Sequence, residues 1–320
     1  WTDALRLSLV TNNPAWSDLN YQEQKADYAA RFITKLRNAS RYVWINAIGE
    51  DSAKEADFKI DIDVLRTYII DHSDLLNDFD KRILTGLDDA IALTQKSYEQ
   101  YAFTQSIDNT ISFVWNNFCD RYIEIAKLQK HELTDKIMLY CIGTILKLLH
   151  PIAPFVTDAL YHDIGFNDPL CVSPFPLKMG MWGINTQTKL FIELISEFRN
   201  LKHDIGIKPN EKITAIIKAN TTITTMIRNY ESMFKKIVHA DWLILLSVNQ
   251  SLPEDVVAKP IFDVTIAIQT VIPVDSKAQI AKLEESLIEE KGFIADLQWL
   301  LTSEWFMNSA PDHIKQAKQI

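Results

Sequence analysis

Glycine is scarce in this chain, 8 residues in 320, and nowhere do glycines cluster into a loop that could cradle a phosphate. Cysteine is scarcer still. Cys119, Cys141 and Cys171 have no close pairing and no Cys-x-x-Cys spacing, so a disulfide framework is excluded and a thiolate zinc site has no support. All three read as reduced, buried thiols of a cytoplasmic protein. No apolar run reaches the length of a membrane-spanning helix, no signal-peptide pattern is visible, and no membrane partner is expected. The seven histidines never stand at i+4 or as His-x-x-His, which removes the usual helical metal-ligand pair. Serine, histidine and aspartate occur without any local signature of an activated nucleophile. Positive charge is also short: 33 Lys and Arg against 42 Asp and Glu leave a net charge of −9. That balance excludes an indiscriminate polyanion binder and leaves room only for a local basic face.

What the chain has is apolar bulk and helical periodicity. At 47% hydrophobic it can bury a large core, and 320 residues suit two or three compact units. Between Tyr21 and Asn46 the charge sign reverses, with five Lys or Arg against two acids. Wound as a helix over about 22–47, this stretch segregates. Phe32, Leu36, Ala39 and Val43 fall at i, i+4, i+7 and i+11 and share a buried stripe. Arg31, Thr34, Arg37, Asn38 and Arg41 gather on the opposite face, with Lys35 on its flank. Such a ridge suits contact with phosphates, although a charged helix face is more often simply solvated. An amide such as Asn38 can both donate to and accept from a base. Tyr42, Trp44 and Trp115 are candidate stacking platforms, each also a natural core residue. Arg199, Lys202, Lys208 and Lys212 form a weaker basic group that reads as surface.

The remaining pattern predicts a mainly α chain. A short helix from Asp3 to Val10 and an extended stretch to residue 20 precede a helical bundle over 21–162. Within it, helices are expected at about 22–47, 62–70, 74–101, 105–127, 132–149 and 155–162, with residues 50–60 as an acidic loop. Pro151 and Pro154 end the penultimate helix. Residues 163–188 read as a linker with one short strand at 170–172. Residues 189–274 then read as a small α/β domain, with helices at 188–204 and 222–238 and strands at 212–218, 242–246 and 262–270. Residues 275–320 open with a helix carrying Ile280, Leu283, Leu287, Ile294, Leu297 and Leu301 in a coiled-coil seam. Read alone, that seam also fits a helical protein-interaction module that self-associates.

Several segments share a family's order. Lys35-Leu36-Arg37-Asn38-Ala39-Ser40-Arg41-Tyr42-Val43, Phe113-Val114-Trp115-Asn116-Asn117-Phe118-Cys119-Asp120-Arg121-Tyr122-Ile123-Glu124, Leu148-Leu149-His150-Pro151-Ile152-Ala153-Pro154-Phe155 and Ile272-Pro273-Val274-Asp275 follow one another as in the C-terminal part of the valyl-tRNA synthetases, class I aminoacyl-tRNA synthetases, which the chain resembles over nearly its whole length. The resemblance implies a class I anticodon-binding bundle followed by a small α/β domain and a short coiled-coil arm. It implies tRNA-Val as partner, read at the anticodon stem-loop by Arg31, Thr34, Lys35, Arg37, Asn38 and Arg41. It also implies a parent reaction that joins valine to tRNA at the expense of ATP with Mg. Neither a His-Ile-Gly-His-like nor a Lys-Met-Ser-Lys-Ser-like motif is present, so no cofactor is expected in this stretch and no amino-acid activation by it alone. The start at Trp1 leads us to expect further sequence upstream. The isoleucyl, leucyl and methionyl enzymes share the bundle and are the nearest alternatives, and a monomer is expected. Arg37 and Arg121 stand where the family often has aromatics.

Overall fold

A computed structural model of the chain describes residues 2–11, 22–49, 59–129, 131–166, 169–180, 186–269 and 291. Two compact units are distinguished: Trp1–Ile195 with Met226–Ile237, and Ser196–Thr225 with Val238–Ile320. The division falls inside helices rather than in the stretch read as a linker. The expected terminal coiled-coil seam lies outside the described residues, as do the extended stretch over 12–20 and most of the acidic loop.

The first unit is a helical bundle. Its helices are α1 (Thr2–Val10), α2 (Glu23–Ala47), α3 (Ile62–Asp71), α4 (Asp78–Glu99), α5 (Phe103–Ser112), α6 (Ile123–Ala126), α7 (Glu132–Leu149) and α8 (Pro154–Ile164). The stripe foreseen on α2 is inside: Phe32, Leu36, Ala39 and Val43 are all buried. Helix α7 is apolar nearly all round, the pattern of a central helix, and buries residues on every face from Leu133 to Leu149. Gly143 permits its tightest approach. A methyl added there would stand 2.7 Å from the Phe166 ring and 2.9 Å from Ile62.

Local chemistry sets the boundaries. Asn77 accepts hydrogen bonds from the backbone of Phe79 and Asp80 while the Asp80 carboxylate accepts from the Asn77 N–H, a complete capping box. The 74–101 helix therefore starts at Asp78, after a 3-10 turn over Ser73–Leu75. Asp61 caps α3 through the N–H groups of Asp63 and Val64. Pro154 opens α8, where a missing N–H costs nothing, and Gly165 closes it at φ 101°. Helix α1 reaches α8 there. Asp3 Oδ2 accepts from the Val156 N–H at 2.6 Å, a carboxylate on the positive end of α8, and Arg6 Nε donates to the Ile152 carbonyl at 2.7 Å.

The expected helix over 105–127 is continuous but not uniformly wound: Phe113–Tyr122 is π-helix between α5 and α6. The apolar pairs Phe113-Val114, Phe118-Cys119 and Tyr122-Ile123 are buried and recur every four to five residues. An α winding of 3.6 per turn would rotate them off the core, whereas the wider winding keeps them aligned. Leu170–Val172 is a 3-10 turn rather than a strand. Cys171 and Val172 are exposed, no strand pairs with them, and the expectation that Cys171 is buried is corrected with them. Cys119 and Cys141 are buried as expected.

Helix α9 (Thr186–Asp204) runs across the unit boundary, as does α10 (Thr221–Asn229). The single helix expected over 222–238 is broken into α10 and α11 (Glu231–Val238). Tyr230 sits in the break, its ring 5.3 Å from that of Phe79 and 5.4 Å from that of Phe191. The second unit carries β1 (Ile213–Lys218), β2 (Ala240–Leu246), β3 (Val256–Ile261) and β4 (Val264–Gln269), in the order β2-β1-β4-β3. β1 runs parallel to β2 and antiparallel to β4. The reading over 262–270 found β4 and missed β3, in which Pro260 sits on an edge strand, the place where a missing donor is tolerated.

Lys202 is buried, not a surface residue. Its ammonium donates to the carbonyls of Pro209, Glu211 and Val238, tying α9 to the chain entering β1 and to Val238, two residues before β2. Burial lowers its pKa from the ordinary lysine value, while Glu211 opposes the shift.

Candidate nucleic-acid interface

The face of α2 opposite its buried stripe holds the six residues singled out from the sequence. Arg31, Thr34, Arg37, Asn38 and Arg41 are exposed and Lys35 is half-buried. Arg31, Asn38 and Arg41 make no hydrogen bond or ion pair among the described residues. Thr34 turns its hydroxyl inward, donating to the Ala30 carbonyl at 2.9 Å.

Lys35 differs from its neighbours. Its Nζ lies 2.6 Å from Asp120 Oδ1 and 4.3 Å from the centre of the Trp115 ring. Trp115 and Asp120 are five residues apart on the π-helical segment, about one of its turns, so the unusual winding brings both to the same ammonium. The ion pair is partly solvated and contributes at most about 1 kcal/mol. The Trp115 ring is also stacked on Tyr28, with centroids 5.8 Å apart and planes 5° apart. It is therefore a wall of the bundle rather than an open platform. Tyr42 is half-buried, with Lys127 Nζ 5.2 Å from its ring centre.

Toward the C-terminal end of the ridge the surface turns concave. Ser40, Arg41, Trp44, Asp163 and Ile164 line an open hollow of about 320 Å³. Ser40 is almost fully buried, and its Oγ has no hydrogen-bond partner, an uncommon state for a buried hydroxyl. The half-buried indole of Trp44 and the exposed guanidinium of Arg41 border the same hollow. It thus offers a flat apolar surface and a cation within a few residues of one helix. Spacing marks Arg41 and Trp44 as neighbours, but the contribution of Asp163 comes from α8 and has no local sequence signal.

The two buried thiols offer no chemistry here. Burial pushes the Cys119 thiol up to about 12 and Cys141 higher again, so neither forms a thiolate near neutral pH. Among the described residues no cluster of His, Cys, Asp and Glu could hold a metal ion, and no helix is long and apolar enough to cross a membrane.

Comparison with known proteins gives the following similarities. Residues 80–217 match the family model described as the anticodon-binding domain of tRNA ligase. The chain is 26% identical to a valine--tRNA ligase of Enterococcus faecalis, over 99% of its own length and 36% of the relative's. It is 28% identical to that of Mesoplasma florum, over 99% and 36%. It is 25% identical to that of Listeria monocytogenes, over 98% and 35%. The chain thus spans about a third of the length of these relatives. Among solved structures, a leucine enzyme of Agrobacterium radiobacter K84 in a ternary complex shares 13% identity at a TM-score of 0.40, covering 78% of this chain and 28% of that one. Residues 80–217 thus match the anticodon-binding domain of tRNA ligase, and from end to end the chain is similar in sequence to the valine--tRNA ligases.

Proposed function

We propose that this chain is the tRNA-binding, C-terminal portion of a valine--tRNA ligase and that it holds the anticodon stem-loop of tRNA-Val against the exposed face of α2. The observation that carries this reading is the ridge itself: Arg31, Arg37 and Arg41 are exposed on one helix face of a chain with net charge −9. Concentrating cations on one face of an anionic body confines polyanion binding to that face. Guanidinium groups meet phosphate oxygens in a fork geometry. In the hollow at the end of the ridge, an unstacked base would lie on the Trp44 indole beside Arg41. Lys35 acts differently, bracing the π-helical segment against α2 through Asp120 and Trp115.

In this reading the parent enzyme joins valine to tRNA-Val with ATP and Mg in the cytoplasm, and the chain itself takes no cofactor. The chain acts as a monomer in this reading. Reversing charge at two ridge positions, Arg37→Glu with Arg41→Glu, is expected to weaken tRNA-Val binding by at least about tenfold in a filter or fluorescence titration, because attraction to two phosphates becomes repulsion. Unchanged affinity would remove the ridge from the interface. Competition with isoleucine, leucine and methionine tRNAs tests the choice of tRNA: displacement by these as readily as by tRNA-Val would refute it.

A further inference from the structure

A second concentration of positive charge lies away from the ridge, in a pocket that the anticodon reading does not use. Its cavity of about 170 Å³ is lined by Arg82, Thr85, Gly86 and Asp89 from α4 and by Asn117 and Arg121 from the π-helical segment, over an apolar base that includes Phe79 and Ile192. The four α4 residues fall at i, i+3, i+4 and i+7, one face of that helix.

Two guanidinium groups face this space. Arg82 is half-buried and makes no hydrogen bond or ion pair among the described residues. Burial and, second, the nearby Arg121 charge both lower its pKa from the ordinary arginine value, with Glu193 opposing. Packing two like charges beside one cavity is unfavourable unless something answers them. Their carboxylate neighbours answer only in part. Glu193 is within 3.8 Å of Lys189. Asp89 is exposed and stands seven residues beyond Arg82, roughly 10 Å further along the helix axis.

The other polar groups favour an acceptor. Asn117 Oδ1 accepts from Arg121 Nη1 at 3.3 Å. This fixes the amide so that its Nδ2 donor points to the Gly86 side, 3.7 Å from where a methyl on Gly86 would be. The absence of a side chain at Gly86 keeps that space open, since the same methyl would be 3.2 Å from the Phe113 ring. Two forked cations and an amide donor line one cavity, the donor set that recognises a tetrahedral oxyanion.

We propose that the pocket between α4 and the π-helical segment binds a phosphate group, held by Arg82, Arg121 and Asn117. The π winding is part of the site: it sets Asn117 and Arg121 on one face while keeping Phe118 and Tyr122 in the core. The phosphate comes either from a free phosphorylated small molecule or from a tRNA backbone, and the two sources separate experimentally. The site does not depend on the anticodon assignment.

The test is titration of the full chain with inorganic phosphate and with pyrophosphate, against chloride at matched ionic strength, followed by calorimetry and by thermal shift. Saturable binding that is weakened at least tenfold in Arg82→Gln is expected. Asn117→Ala, which removes a neutral donor and no charge, is expected to weaken it several-fold. Circular dichroism establishes that each variant is folded. No saturable binding beyond the chloride control, or binding that Arg82→Gln and Asn117→Ala both leave intact, would overturn the proposal. Competition between phosphate and tRNA, with tRNA affinity reduced in Arg82→Gln, identifies a backbone phosphate. Phosphate binding indifferent to tRNA identifies a small-molecule site.

Discussion

Asp80 and Tyr122 couple a helix start to the bundle interior. Asp80 closes the α4 capping box and its Oδ1 accepts from the Tyr122 hydroxyl at 2.7 Å, with both residues buried. Burial raises the Asp80 pKa above the ordinary carboxylate value, and the Tyr122 and Asn77 hydrogen bonds oppose it without cancelling it. A raised folded value means that the folded state holds the proton more tightly than the unfolded one. Its contribution to stability is therefore complete below the unfolded pKa of about 3.9 and declines as pH rises through the folded value. Asp80→Asn should flatten that decline, so melting temperatures of the two proteins should diverge as pH rises out of the carboxylate range; parallel curves would refute this coupling. Tyr122→Phe removes the donor and leaves a buried carboxylate oxygen short of a partner, at a cost of about 1–3 kcal/mol in a urea titration. Neither side chain announces this pairing in the sequence. The buried stripe of α2 was legible residue by residue because helical periodicity is local. The Asp80 bond spans 42 positions, and the burial of Lys202 depends on three carbonyls that only the fold assembles.

Some element boundaries were legible to within a residue, although the Asn77 capping box that starts α4 at Asp78 went unread. The reading over 22–47 corresponds to Glu23–Ala47, and that over 132–149 to Glu132–Leu149. The π-helical segment escaped because an α period was assumed, although the doublets Phe113-Val114, Phe118-Cys119 and Tyr122-Ile123 already carry the longer spacing. β3 escaped because Pro260 interrupts an otherwise strand-like run, and its edge position becomes apparent only when β4 is placed beside it. At this scale the contact most exposed to mutation is that of α7 with Ile62 and Phe166. Gly143→Ala places a methyl within 2.7–2.9 Å of both, closer than carbon atoms pack, and should destabilise the chain by about 1–3 kcal/mol. Thermal denaturation measures the loss, and an unchanged midpoint would show that the Phe166 ring yields without cost.

For the whole molecule, the opposition between a net charge of −9 and the α2 ridge sets how binding responds to salt. If Arg31, Lys35, Arg37 and Arg41 all meet phosphates, the logarithm of the tRNA association constant should fall with the logarithm of salt at a slope of about −3, from about 0.7–0.9 per contact. With Lys35 held by Asp120 the slope should be shallower, near about −2, and Lys35→Gln should then leave it unchanged. A slope that Lys35→Gln does reduce would place that ammonium on RNA after all. The clasp between Asp3 and Val156 has a different consequence, one of timing. Its partners are 153 positions apart, so at about 5–20 residues per second a ribosome needs roughly 8–30 s after making the carboxylate to deliver the N–H that it will cap. Throughout that interval α2, the neighbour on which α1 mainly packs, can already shelter its apolar side, while the Asp3 carboxylate waits without its amide.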